Sequence, residues 1–242
     1  MALMKKLKLP ALLLGACFAV VGLLVIAAPA VLAGDPDTLQ DICVADYKSL
    51  KGPLRVNGFP CKPEANVTAD DFFFGGLATA ADVYTGNPTG SAVTAADVSA
   101  VPGLNTLRVS MARTDYAPWG GVSAPHEHPR ATEILFVAEG TLEVSFVATA
   151  AGAGGGGRLF TRTVNRGEVF VFPRGVLHFQ RSVGAAPAVA ISAFDSQMPG
   201  TQAAAAALFG AAPPLPTDVL ARAFQTDAGV VDGIKSNFSP PK

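Results

Sequence analysis

This 242-residue chain has three histidines, and all of them fall in two short stretches. His126 and His128 lie in "PHEHPRATEILFVAEG", with Glu133 close behind, and His178 lies in "VFVFPRGVLHFQR". In a β-strand, residues two apart project from the same face. His126 and His128 can therefore converge on one point while Glu127 points away. Pro129 removes a ladder donor and ends or bends that strand. Glu133 can return on the next strand with its carboxylate inward. His178 follows a second turn, Pro173-Arg174-Gly175, and enters from a later hairpin. Three neutral imidazoles and one carboxylate make a metal-ligand set with positions left for water. Ligand type alone admits Mn, Fe, Ni, Cu or Zn, and the carboxylate and the lack of sulfur favour the harder ions. The competing reading, unrelated core or surface histidines, leaves the His-x-His register and the nearby acid unexplained.

The elements that must carry these residues read as short strands. From residue 71 onward, apolar runs recur between turn signals: "DDFFFGGL", "NTLRVSMAR", "TEILFVAEGTLEVSFVA", "RLFTRTVNRGEVFVFPRG", "VLHFQRSV" and "AVAISAF". Their spacing and their Val, Phe and Thr content predict an all-β sandwich or barrel. In "EILFVAEG", Glu133, Leu135 and Val137 share one face, and Ile134, Phe136 and Ala138 share the other. A sheet with one wet face should alternate apolar and polar, so two apolar faces predict a cover, most simply another subunit. "AAGAGGGG" (150–157) reads as a flexible hairpin loop. After residue 200, "TQAAAAALFG", "PTDVLARAFQ" and "DAGVVDGIKSNF" read as short helices, with Thr217 as an N-cap and Gly210 as a stop.

With half its residues hydrophobic, the chain can bury a substantial core. Its net charge of −1, and the lack of any Lys/Arg cluster with interleaved aromatics, exclude a nucleic-acid footprint. The N-terminus is expected to be a secretory signal. Lys5, Lys6 and Lys8 precede a long apolar run, and Val31 and Ala33 suit cleavage before Gly34. The apolar run could also span a bilayer, but Pro29 and the small residues at its end favour cleavage, leaving no membrane segment. Cys17 leaves with the signal. The remaining pair, Cys43 and Cys61, is expected to form a disulfide in an oxidising compartment, worth about 3 kcal/mol by loop-closure entropy; a metal pair is the weaker alternative. Asn66 in "NVT" is a glycan acceptor candidate. The expected organisation is a signal at 1–33, a disulfide-clipped arm at 34–70, a β-barrel at 71–200 and a helical segment at 201–242.

The residues around the candidate ligands resemble the germins and germin-like proteins, plant members of the cupin superfamily. Gly120, His126, His128, Glu133 and Gly140 meet the first cupin motif. Gly167, Pro173, Gly175 and His178 meet the second, although Ser182 stands where the motif usually closes with asparagine. "HPRATEI", "LQDICVAD", "VNGFPCK", "GSAVTAADV", "PGLNTLRVSMARTDYAP" and "LFGAAPPLPTDVLARAF" resemble germin segments in germin order. The resemblance implies a single-domain β-jelly-roll with C-terminal helices, and manganese held by His126, His128, Glu133 and His178. It also implies the Cys43–Cys61 disulfide, an apoplastic location and a hexamer built as a trimer of dimers. The activities it implies are superoxide dismutation or oxalate oxidation, with a defence role discussed for many members. A non-catalytic, metal-bearing wall or receptor-type binding protein is the alternative. Oxalate-oxidising germins place two asparagine side chains near the metal. Aligned through "VSMAR" and "DYAPWGGVSAPHEH", those positions fall on Ala112 and about Ser123, with Trp119 as an apparent insertion. Superoxide is therefore the expected substrate. Arg166-Gly167-Glu168 reads mainly as a β-turn.

Overall fold

The computed structural model describes residues 40–49, 58–149 and 156–238. The expected signal at 1–33 and most of the Gly-rich loop at 150–157 lie outside these residues. The described residues from Ile42 onward form one compact unit.

Ten strands make two five-stranded antiparallel sheets that face each other, the β-jelly-roll expected from the sequence. They are β1 (Ser91–Ala96), β2 (Ser110–Tyr116), β3 (Val122–Glu127), β4 (Glu133–Glu139), β5 (Thr141–Thr149), β6 (Gly157–Asn165), β7 (Val169–Phe172), β8 (Leu177–Ser182), β9 (Ala188–Phe194) and β10 (Gln202–Ala203). One sheet runs β1-β2-β9-β4-β7 and the other β10-β3-β8-β5-β6. The β4–β5 turn depends on Gly140, whose φ is +74° and where a Cβ would sit 2.8 Å from the Cβ of Ala188. Only glycine meets both conditions cheaply.

Inward side chains from both sheets form the core. Tyr116, Leu135, Val137, Leu142, Val144, Val164 and Phe172 are its main members. Each large apolar side chain removed from water contributes about 1.5–3 kcal/mol. This packing fills one part of the barrel and leaves the polar cluster beside it framed by rigid strands.

Helices α1 (Ala204–Phe209), α2 (Thr217–Ala223) and α3 (Ala228–Ser236) follow the barrel. Gly210 caps α1, as expected. Thr217 is not an N-cap. Pro216 occupies that position with φ near the value its ring imposes, and Thr217 is the first helical residue. Its hydroxyl instead donates to Asp232 at 2.8 Å and accepts from Lys235 Nζ at 2.9 Å, which ties α2 to α3. The run "DDFFFGGL" is also not a strand. It forms 3₁₀ turns at Ala69–Phe72 and Gly76–Ala78. The Asp71 carboxylate accepts from the Thr68 amide at 2.9 Å and from Lys62 Nζ, closing a local turn before any strand can pair.

Cys43 and Cys61 form the expected disulfide. Asn105, fully buried, fastens this arm to the barrel side: its amide accepts from Phe59 N at 3.0 Å and donates to Phe59 O at 2.8 Å. Tyr47 donates to the Val98 carbonyl. Asn66 ends a 3₁₀ turn, Glu64–Asn66, and is exposed.

The alternation read in "EILFVAEG" is present: Glu133, Leu135 and Val137 are buried, while Ile134 and Phe136 are 48% and 41% exposed. Ile134 pairs with Val171 and Phe136 with Val169, and these partners are also exposed, at 47% and 55%. The result is a continuous apolar stripe across β4 and β7. We expect this stripe to be covered by a second copy of the chain, since soluble monomers seldom leave such patches open. Light scattering at micromolar concentration should give an oligomeric mass, and Phe136→Asp with Val169→Asp should lower it. A monomer mass for the wild type would overturn the expectation.

Candidate metal centre

Register brings the candidate ligands together. β3 pairs with β8 so that His126 lies directly opposite His178. A bulge between Ser123 and His126 adjusts the strand just before the first ligand. β3 ends at Glu127, so His128 lies one residue past it, where Pro129 begins a turn. Both imidazoles still point inward, with ring centroids 5.1 Å apart. Glu133 opens β4 on the facing sheet with its side chain inward. All four residues are buried, and their ligand atoms lie within 4.8 Å of one another. Phe172 stacks on His178 and Phe194 meets His128 edge-on, which holds both rings in place.

Hydrogen bonds fix the orientation of two rings. His126 Nδ1 lies 2.8 Å from the Ala124 carbonyl, and His178 Nδ1 lies 2.8 Å from the Val176 carbonyl. A carbonyl only accepts, so each Nδ1 carries the proton and each Nε2 presents a lone pair. His128 Nδ1 faces the Thr201 hydroxyl at 3.5 Å. These outer partners orient ligating imidazoles in metal sites.

Electrostatics favour a cation at the convergence. Burial, with a further push from His178, lowers the pKa of His126 to about 4, so its ring is neutral at neutral pH. Burial alone would raise the Glu133 pKa, but His128 and His178 beside it, with Ser192, hold it well below the usual carboxylate range. Ser192 Oγ donates to Glu133 Oε1 at 2.6 Å. The other oxygen, Oε2, lies 3.1 Å from His178 Nε2 and 3.1 Å from His128 Nε2. With Nδ1 of His178 protonated, a neutral ring would set a lone pair against the carboxylate, an arrangement that needs a positive charge between them. Two ligands at right angles on bonds of about 2.2 Å would sit about 3.1 Å apart. The donor set and its spacing fit a bound metal ion.

The cluster opens onto a cavity of about 300 Å³, lined by residues that include Ala112, Thr114, Ser123, Gln180, Ser192 and Phe194. Ala112 and Ser123 both line it, on β2 and β3. The sequence did not single out Ser192, because one serine in "AVAISAF" carries no pattern. Nor could it show the Ala124 and Val176 carbonyls. Arg166 and Gly167 form the turn between β6 and β7, with Gly167 at φ +87°.

This is the architecture of a metal-binding β-jelly-roll, and comparisons with known proteins place it. The profile of the family described as Cupin matches residues 76–232. Germin-like protein 1-4 of Oryza sativa subsp. japonica is 73% identical over 233 residues, 96% of this chain and 97% of that protein. Germin-like protein subfamily 2 member 4 of Arabidopsis thaliana is 55% identical over 88% of this chain and 91% of its own length. A solved structure titled as recombinant oxalate oxidase in complex with glycolate is 45% identical, with a TM-score of 0.75 over 85% of this chain and 98% of that one. The chain belongs to the germin-like proteins of the cupin superfamily.

Proposed function

We propose that this chain is a secreted, manganese-binding oxidoreductase of the plant apoplast that disproportionates superoxide and has negligible oxalate oxidase activity. The observation that carries the reading is the convergence of His126, His128, Glu133 and His178 beside a cavity in which Ala112 and Ser123 offer little to a carboxylate ligand. These four residues would hold one ion. A bound manganese would supply the one-electron chemistry by which two superoxide anions and two protons become dioxygen and hydrogen peroxide. The chain's part is to keep three imidazoles aimed at one point, hold Glu133 ionised, and leave an anion-sized path to the site.

The rest of the reading follows the germin-like resemblance. Residues 1–33 would be cleaved, leaving a mature chain of net charge −4, since Lys5, Lys6 and Lys8 depart from a chain of net charge −1. Residues 34–70 would form the arm, 71–200 the barrel and 201–242 the helical segment. Asn66 would carry a glycan, which a mobility shift on glycosidase treatment checks. The oligomer would be a hexamer, assembled as a trimer of dimers. A role in defence would follow from the peroxide released in the wall.

The test is a superoxide-removal assay with metal analysis on the same purified sample. We expect one manganese per chain and a rate that disappears on chelation and returns with added manganese. A fully loaded protein that leaves superoxide untouched would sink the catalytic reading and favour the alternative, a metal-stiffened wall or receptor-type binding protein.

A further inference from the structure

We infer that Arg130 is the anion-recruiting residue of the cavity, a positioning group for the small anion that reaches the metal centre. The inference rests on the reading above that the substrate is a small anion.

Arg130 lies two residues after His128 and lines the cavity. It is the one arginine or lysine among the lining residues. Its Nε donates to the Met198 carbonyl at 2.9 Å, and its own amide donates to the Pro199 carbonyl at 3.3 Å. The guanidinium is thus held by a single side-chain bond through Nε. Its two terminal nitrogens make no ion pair or hydrogen bond among the described residues, so four N–H donors remain uncommitted.

The backbone opposite is shaped to this group. Gly200 has φ +71°, and a Cβ there would lie 2.2 Å from Arg130 Nη2 and 2.5 Å from its Cζ. A side chain at position 200 would evict the guanidinium. The segment Met198–Thr201 therefore meets the guanidinium with a carbonyl at Nε and a bare glycine beside its terminal nitrogens.

Charge makes the consequence specific. Glu133 is engaged with the imidazoles and Ser192. Asp97, the other carboxylate lining the cavity, accepts from the amide and hydroxyl of Ser99 on one oxygen and keeps its negative charge. Arg130 is exposed, and a positive charge there, at a residue lining the cleft, attracts anions and speeds their entry, an effect that salt screens. Neutral hydrogen peroxide gains nothing from the same charge and leaves freely. The guanidinium would also present paired donors to a bound anion.

The test uses the manganese-loaded full chain and azide, a small anion that reports on access without turnover. Azide affinity is measured by calorimetry for wild type, Arg130→Gln and Arg130→Lys, with metal content determined on each. We expect Arg130→Gln to weaken azide binding about three- to tenfold at low salt with metal content unchanged, as loss of one nearby charge implies. Arg130→Lys should stay within about twofold, and raised ionic strength should weaken azide binding to wild type more than to Arg130→Gln. Equal azide affinity in Arg130→Gln and wild type would overturn the inference. So would an equal loss in Arg130→Lys, which would assign the effect to the anchoring of Met198. Superoxide assays on the same samples separate the two readings. Activity with unchanged azide binding removes only the role of Arg130. No activity with the expected azide pattern removes only the dismutase reading.

Discussion

His128→Ala is expected to yield a folded protein that retains almost no metal after dialysis. Apparent binding free energies of structural zinc sites with four protein ligands run to about 10–16 kcal/mol, or about 3 kcal/mol per ligand, which sets the scale. Losing one ligand should therefore weaken binding by about 100-fold or more. His128 is the informative choice because its ring is the least tied to the scaffold. His126 and His178 are anchored to backbone carbonyls at 2.8 Å, whereas Nδ1 of His128 has only the Thr201 hydroxyl at 3.5 Å. Its removal costs the edge contact with Phe194 and one neighbour of Glu133 Oε2. It removes no member of the main apolar cluster, which includes Tyr116, Leu135, Leu142 and Phe172. Far-UV circular dichroism should therefore match wild type while elemental analysis shows the loss. A stoichiometric ion in the dialysed variant would remove His128 from the ligand set.

The sequence exposed the ligands before it exposed the barrel around them. Scarcity made His126, His128 and His178 conspicuous, and a period-two pattern gave β4 its inward and outward faces. Where local chemistry competed with pattern, the sequence misled. The three phenylalanines at 72–74 looked like a strand, but Asp71 and the glycines at 75 and 76 close turns first. Thr217 looked like a cap, but Pro216 took the position and Asp232 and Lys235 took the hydroxyl. The partners that orient the site are mostly backbone carbonyls or single small side chains. Ala124, Val176 and Ser192 carry no type or spacing signal, because their role comes from strand register alone. Ser182, at the position where the second motif usually closes with asparagine, is buried, and its hydroxyl has no hydrogen-bond partner among the described residues.

The largest functional effect expected is an absence: this protein should not turn over oxalate at rates typical of enzymes. Germins that do so present two asparagine amides to the bound dianion, by the alignment that places those positions at Ala112 and about Ser123. Ala112 sits on the inward face of β2, opposite Ser192 on β9, whose hydroxyl holds Glu133. Ser123 sits on β3 opposite Gln180, and all of these residues line the cavity. Alanine offers no donor, and serine offers one short O–H against the amide's two N–H groups. A buried carboxylate that finds fewer donors in place of its lost hydration is held more weakly. Two missing bonds to a charged group, at about 1.5–3 kcal/mol each, amount to roughly two to four orders of magnitude in productive binding. Gln180 and the Arg130 guanidinium also line the cavity, but neither stands at the β2 and β3 positions of the two amides. Superoxide, small and singly charged, needs only a path to the centre and loses far less. Ala112→Asn returns one amide to the inward face of β2, so oxalate turnover should rise by about ten- to a hundredfold from its low base, while metal content stays constant. A coupled peroxide assay decides the matter. Metal-dependent oxalate turnover by the wild-type protein at ordinary enzymatic rates would refute the expectation. A flat response to Ala112→Asn, with the ion in place, would show that this position does not limit oxalate binding.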